Sequence, residues 1–96
     1  MKYILHLFWV QPVLSRILDR VTKSVFTGRY KRLLSLLVSA REDAGLSQRA
    51  LSEKLKKAPT YVSKYERGER RLDVIELLEI TKALDVDPVE VIRKLI

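Results

Sequence analysis

LSQRALSEKLKKAPTYVSKYERG, the stretch Leu46–Gly68, decides how this chain folds. Ser47 is placed to cap a helix over Gln48–Leu55, whose inward positions are Ala50, Leu51 and Leu55. Lys56, Lys57 and Ala58 form a turn. A second short helix, Pro59–Tyr65, turns Val62 inward and is stopped by Gly68. Basic residues crowd the turn and the second helix.

Working outward, helical periodicity continues on both sides. A preceding helix over Tyr30–Ala44 carries the apolar stripe Leu33, Leu34, Leu37, Val38 and Ala44, and Gly45 suits its left-handed end. Downstream, Asp73-Val74-Ile75-Glu76 reads as a capping box in which Asp replaces Ser or Thr, with Leu72 and Leu77 spaced as a hydrophobic staple. Asp87-Pro88-Val89-Glu90 repeats the device, with Val86 and Val91 as the staple. The two helices so predicted are Val74–Leu84 and Pro88–Leu95. No alternating strand pattern occurs between Tyr30 and Ile96.

The first residues are of a different kind. MKYILHLFWVQ is an apolar run that His6 and Gln11 interrupt, and no small-residue cleavage site follows it. It is too short to span a membrane, which takes about 20 apolar residues. From Pro12 an amphipathic pattern begins, with Val10, Val13, Leu14, Ile17, Leu18 and Val21 at helical spacing, until Thr27-Gly28 breaks it. The expected organisation is a leader over residues 1–24 and one domain over residues 25–96. Three readings of the leader stand side by side. Translation starts further in, for example at Val25; or residues 1–24 add a helix that buries its stripe on the bundle or on a second copy; or they serve a membrane or targeting role.

Composition fits a single small all-helical domain: 96 residues, 47% hydrophobic, 32% charged. The absence of cysteine removes disulfides and thiolate metal sites and fits the cytoplasm. The net charge of +7 is unevenly held. Residues 30–71 have eleven Lys/Arg against five Asp/Glu, a balance of +6, whereas residues 72–96 have three against six, a balance of −3. A basic central segment attracts phosphate, although charge alone does not separate DNA from RNA or anionic lipid.

Two short helices joined by a tight turn, with cations on the second, form a helix-turn-helix, which places one helix in the major groove of duplex DNA. Gly45-Leu46-Ser47-Gln48, Ala50-Leu51, Leu55, Val62-Ser63-Lys64-Tyr65-Glu66-Arg67-Gly68, Leu77-Leu78 and Ala83-Leu84 carry a resemblance to a known family. In these residues the chain, from about Ser24 to Ile96, resembles the Cro and lambda-repressor-like (Xre-type) family of bacteria and phages. The resemblance implies a five-helix, all-α DNA-binding domain preceded by the additional N-terminal segment. It implies that Gln48 hydrogen-bonds a phosphate and braces the recognition helix, and that Pro59, Thr60, Ser63 and Lys64 lie where base edges are read. Lys64 has the reach to donate to guanine O6/N7, and Thr60 can hydrogen-bond or pack its methyl on thymine. Lys56, Lys57, Arg67, Arg70 and Arg71 are candidates for phosphate. Tyr61 is either a partly buried aromatic or a further phosphate donor. Glu66 reads as structural, paired with a basic neighbour, and Tyr65 as core.

The chain departs from the family at the turn. Lys56 stands where glycine is common, so it either takes a left-handed backbone or reshapes the turn. Ala58 is a poor cap ahead of the recognition helix, and Pro59 has no donor with which to read a base.

Enzyme chemistry finds little footing. His6 is the single histidine, Ser63 and Lys64 are neighbours that do not face each other on a helix, and no glycine-rich phosphate loop exists. No cofactor is expected. The leading expectation is a transcriptional regulator that binds double-stranded DNA sequence-specifically as a homodimer. Val91, Ile92, Leu95 and Ile96 either pair the subunits or pack in the monomer core. An antitoxin-like module is the alternative, with a toxin or regulator as protein partner and autoregulatory DNA binding. Membrane tethering through residues 3–21 is a third reading.

Overall fold

The computed structural model describes residues 28–96, all of whose regular structure is helical. Helix α1 covers residues 28–43, and α2 (Gln48–Lys54), α3 (Tyr61–Glu66), α4 (Val74–Ala83) and α5 (Pro88–Arg93) follow. The leader and the helix expected from Pro12 lie outside the described residues. Gly28, expected to break the pattern ahead of Tyr30, is already helical; one glycine costs a helix only about 1 kcal/mol.

Four helices end in the same way. After α1, the Gly45 N–H donates to Glu42 O (2.9 Å) and the Leu46 N–H to Arg41 O (3.2 Å). The same pair of bonds closes α2 at Lys56 and Lys57, α3 at Gly68 and Glu69, and α4 at Asp85 and Val86. Each needs a left-handed residue, and Gly45, Lys56, Gly68 and Asp85 supply it with φ of 73°, 59°, 77° and 57°. Glycine marks only two of these ends.

The starts of α2, α4 and α5 are capped by their N-cap side chains. Ser47 Oγ accepts the Ala50 N–H at 3.0 Å. At α4 the capping box is complete: Asp73 accepts from Glu76 N–H (2.7 Å) while Glu76 accepts from Asp73 N–H (3.0 Å). At α5 the expected reciprocal box does not form. Asp87 accepts the Val89 N–H instead (2.9 Å), and Glu90 turns to Arg93.

One core joins the helices. Leu34 and Leu37 from α1 meet Leu51 from α2, Tyr61, Val62 and Tyr65 from α3, and Leu77, Ile80 and Leu84 at α4. Ala44, expected in the α1 stripe, is exposed, and Ala40 packs against the core in its place. Tyr65 is core as expected: it is fully buried and meets Tyr61 edge-on at 5.6 Å between centroids. Its hydroxyl is buried without a hydrogen-bond partner among the described residues. Tyr65→Phe therefore removes a desolvated polar atom and nothing else. Thermal melts are expected to show no loss of stability, or a gain of about 1 kcal/mol. No helix of the described residues is long and apolar enough to cross a membrane.

Candidate nucleic-acid interface

The α2–turn–α3 unit is held by three contacts that are distant in sequence. The first is Ser52, fully buried on α2. Its hydroxyl donates to Gln48 O (2.9 Å) and accepts the Val62 N–H (3.1 Å). Val62 lies in the first turn of α3, where backbone N–H groups have no partner within the helix. Thr60, at the helix start, makes no side-chain cap bond. The acceptor that Ala58 lacks thus arrives from the neighbouring helix. Ser52→Ala is expected to leave the Val62 N–H buried and unpaired, lowering stability by about 2 kcal/mol. That corresponds to a fall in melting midpoint of about 10 °C in a domain of this size, readable by circular dichroism.

The second contact clamps the end of α3. Glu66 Oε2 accepts from Arg41 Nε at 2.7 Å, and Glu66 Oε1 accepts from the second Arg41 nitrogen (3.2 Å) and from Gln48 Nε2 (2.7 Å). Arg41 also donates to Leu46 O at 2.8 Å. Glu66 is thus paired with a basic residue, and Gln48 ties the start of α2 to the end of α3 through it. The bond raises the Arg41 guanidinium above its ordinary pKa.

The third contact holds the start of α3. Tyr61 is buried, and its hydroxyl donates to Glu76 Oε2 at 2.9 Å. Arg70 meets the same oxygen at 2.7 Å and lies 5.0 Å from the centre of the Tyr61 ring, while Lys57 Nζ lies 5.6 Å from it. Burial pushes the Glu76 carboxyl up, but hydrogen bonds from the Asp73 backbone, Tyr61 and Arg70 outweigh it and hold Glu76 below the ordinary carboxylate range. Burial first, then Glu76, pushes the Tyr61 phenol well above its ordinary value.

The expected site residues fall into distinct settings. Thr60, Ser63, Lys64 and Arg67 recur at the spacing of one helix face, opposite the buried Tyr61, Val62 and Tyr65. Thr60 and Lys64 are exposed, and no described residue pairs with the Lys64 ammonium. Ser63 is half-buried; its hydroxyl donates to Thr60 O at 3.0 Å, which leaves its lone pairs to accept. Pro59 is exposed but precedes the helix rather than opening it. It cannot donate, and the first bond of the segment runs from Tyr61 N–H to Ala58 O (2.9 Å) as a tighter turn. Arg67 pairs with Glu69 at 2.6 Å, both exposed, which is a weak restraint. Arg71 lies over the Tyr30 ring at 4.4 Å.

Lys56 resolves the question the sequence raised by taking the left-handed conformation at φ 59°. For a residue with a Cβ this costs about 1 kcal/mol. Lys56→Gly is expected to raise stability by up to about 1 kcal/mol in urea melts while weakening binding to duplex DNA. Sequence reading passed over Ser52, Arg41 and the second role of Glu76. A serine four residues after Gln48, on the buried side of α2, is the one local signal among them.

A family model described as helix-turn-helix matches residues 37–91. Solved structures share the fold. An XRE-family like protein from Pseudomonas syringae pv. tomato str. DC3000 is 41% identical with a TM-score of 0.75, over 78% of this chain and 92% of its own. The clp gene regulator ClgR from C. glutamicum is 28% identical with a TM-score of 0.62, over 70% and 87%. No curated protein matches the sequence. The chain belongs to the Xre-type helix-turn-helix family, a family of DNA-binding transcriptional regulators.

Proposed function

We propose that this regulator binds duplex DNA sequence-specifically with α3 in the major groove, as a homodimer on a two-fold site. The supporting observation is the outward face of α3. Thr60, Ser63 and Lys64 stand side by side on it, while everything opposite them is locked into the core. Base readout falls to these three residues, with Pro59 limited to apolar contact. Lys56, Lys57, Arg67 and Arg71 supply positive charge to phosphate from the turn and the end of α3. The Gln48 amide has a second N–H beyond the one given to Glu66, and that proton can serve a phosphate.

Dimerisation is supported by the need for readout, since one such module covers only a few base pairs. Of the residues expected at a subunit contact, Val91 belongs to the monomer interior at 5% exposure, whereas Ile92 and Ile96 remain open at 41% and 95%. The test is fluorescence anisotropy on a labelled duplex over a salt series, with sedimentation of the complex. A linear fall of log affinity with log salt and a two-to-one protein–duplex complex support the proposal. Salt-independent binding rules out the phosphate grip, and a one-to-one complex rules out the dimer.

A further inference from the structure

Arg70 is basic, flanks the recognition helix and looks like one more phosphate ligand. Its surroundings assign it differently. One of its terminal nitrogens donates to Arg71 O at 3.0 Å, and the other meets Glu76 Oε2 at 2.7 Å. Its guanidinium lies 5.0 Å from the centre of the Tyr61 ring. Both groups it serves are buried: Tyr61 is 7% exposed and Glu76 is 9% exposed. Tyr61 is the first residue of α3, and Glu76 belongs to the cap of α4. The single oxygen Glu76 Oε2 therefore ties the start of the recognition helix to the start of α4, and Arg70 supplies the countercharge that keeps a buried carboxylate there.

Resting on the DNA-binding reading above, we propose that Arg70 is a positioning residue. It fixes Glu76 against Tyr61 so that the first turn of α3 meets DNA in one orientation, and it does not ligate phosphate. Two chemical consequences follow. A guanidinium that serves two acceptors and a ring face at once is not replaced by lysine, whose ammonium is a point charge on a flexible stem. Loosening the Tyr61–Glu76 tie also reduces the fraction of molecules with α3 ready to bind, and affinity falls by that fraction.

The experiment measures affinity and its salt dependence for the full 96-residue chain on two short duplexes, one enriched from a randomised pool and one of random sequence. The variants are Arg70→Gln, Arg70→Lys and Tyr61→Phe, with folding checked by circular dichroism. Tyr61→Phe removes only the hydroxyl that reaches Glu76, so it keeps the test open should either Arg70 variant fail to fold. All three variants are expected to lose about tenfold in affinity for the enriched duplex. In each the slope of log affinity against log salt stays at the wild-type value. The proposal is overturned if Arg70→Gln lowers that slope by about 0.9, the signature of one lost phosphate contact, and Arg70→Lys restores it. It is equally overturned if folded Tyr61→Phe binds as the wild type does. Failure of the DNA-binding reading looks different: the wild type itself then shows no salt-dependent binding to either duplex.

Discussion

Glu66→Ala is expected to lower the unfolding free energy by about 3–5 kcal/mol, the cost of breaking a buried ion pair by removing one partner. The side chains of Arg41 and Glu66 are 12% and 5% exposed, so water cannot replace the lost contacts. The substitution strands a guanidinium that had two bonds to the carboxylate, and it removes the acceptor of the Gln48 amide. Small domains have only about 5–15 kcal/mol in hand, so the loss takes a large share of the total. Urea melts should place Glu66→Gln between the wild type and Glu66→Ala, because glutamine keeps one acceptor but no charge. Arg41→Met with Glu66→Met together should be milder than Glu66→Ala, since no unpaired charge remains. A loss under about 1 kcal/mol for Glu66→Ala contradicts a buried clamp.

Lys64→Ala is expected to lower discrimination between an enriched and a random-sequence duplex by about 10- to 100-fold, the worth of one good base contact. Lys64 is exposed on α3, and no described residue competes for its ammonium. It lies one turn beyond Thr60 and beside Ser63 on the same exposed side of α3. The alternative role has a distinct signature. If Lys64 meets only phosphate, affinity for both duplexes falls equally and the ratio between them is unchanged.

Elements governed by near neighbours in sequence were legible. The capping roles of Ser47 and Asp73, the left-handed ends at Gly45 and Gly68, and the inward Leu51, Val62 and Tyr65 are all local patterns. The second Asp-led start is legible only in part, because Glu90 has a competing partner in Arg93, three residues on. The left-handed Asp85 was invisible, since nothing but its place after α4 marks it. Pro59 suits a first helical turn, but the tighter Ala58–Tyr61 turn moves the start of α3 to Tyr61.

The brace of the site was the least legible part. Ser52 reaches Val62 across ten residues, Glu76 reaches Tyr61 across fifteen, and Arg41 reaches Glu66 across twenty-five. No helical period connects such partners. For the same reason the partner of the Tyr61 hydroxyl is not legible: its position at the start of α3 fits both core and phosphate, and the carboxylate that accepts from it lies on α4.

Enrichment of duplexes from a randomised pool by the full 96-residue chain, followed by titration of the enriched and random-sequence duplexes at one salt concentration, shows whether α3 reads sequence. The predicted result is a pair of half-sites related by two-fold symmetry and a preference of about 10³-fold or more for the enriched duplex. Equal affinity for the two duplexes contradicts sequence readout by α3.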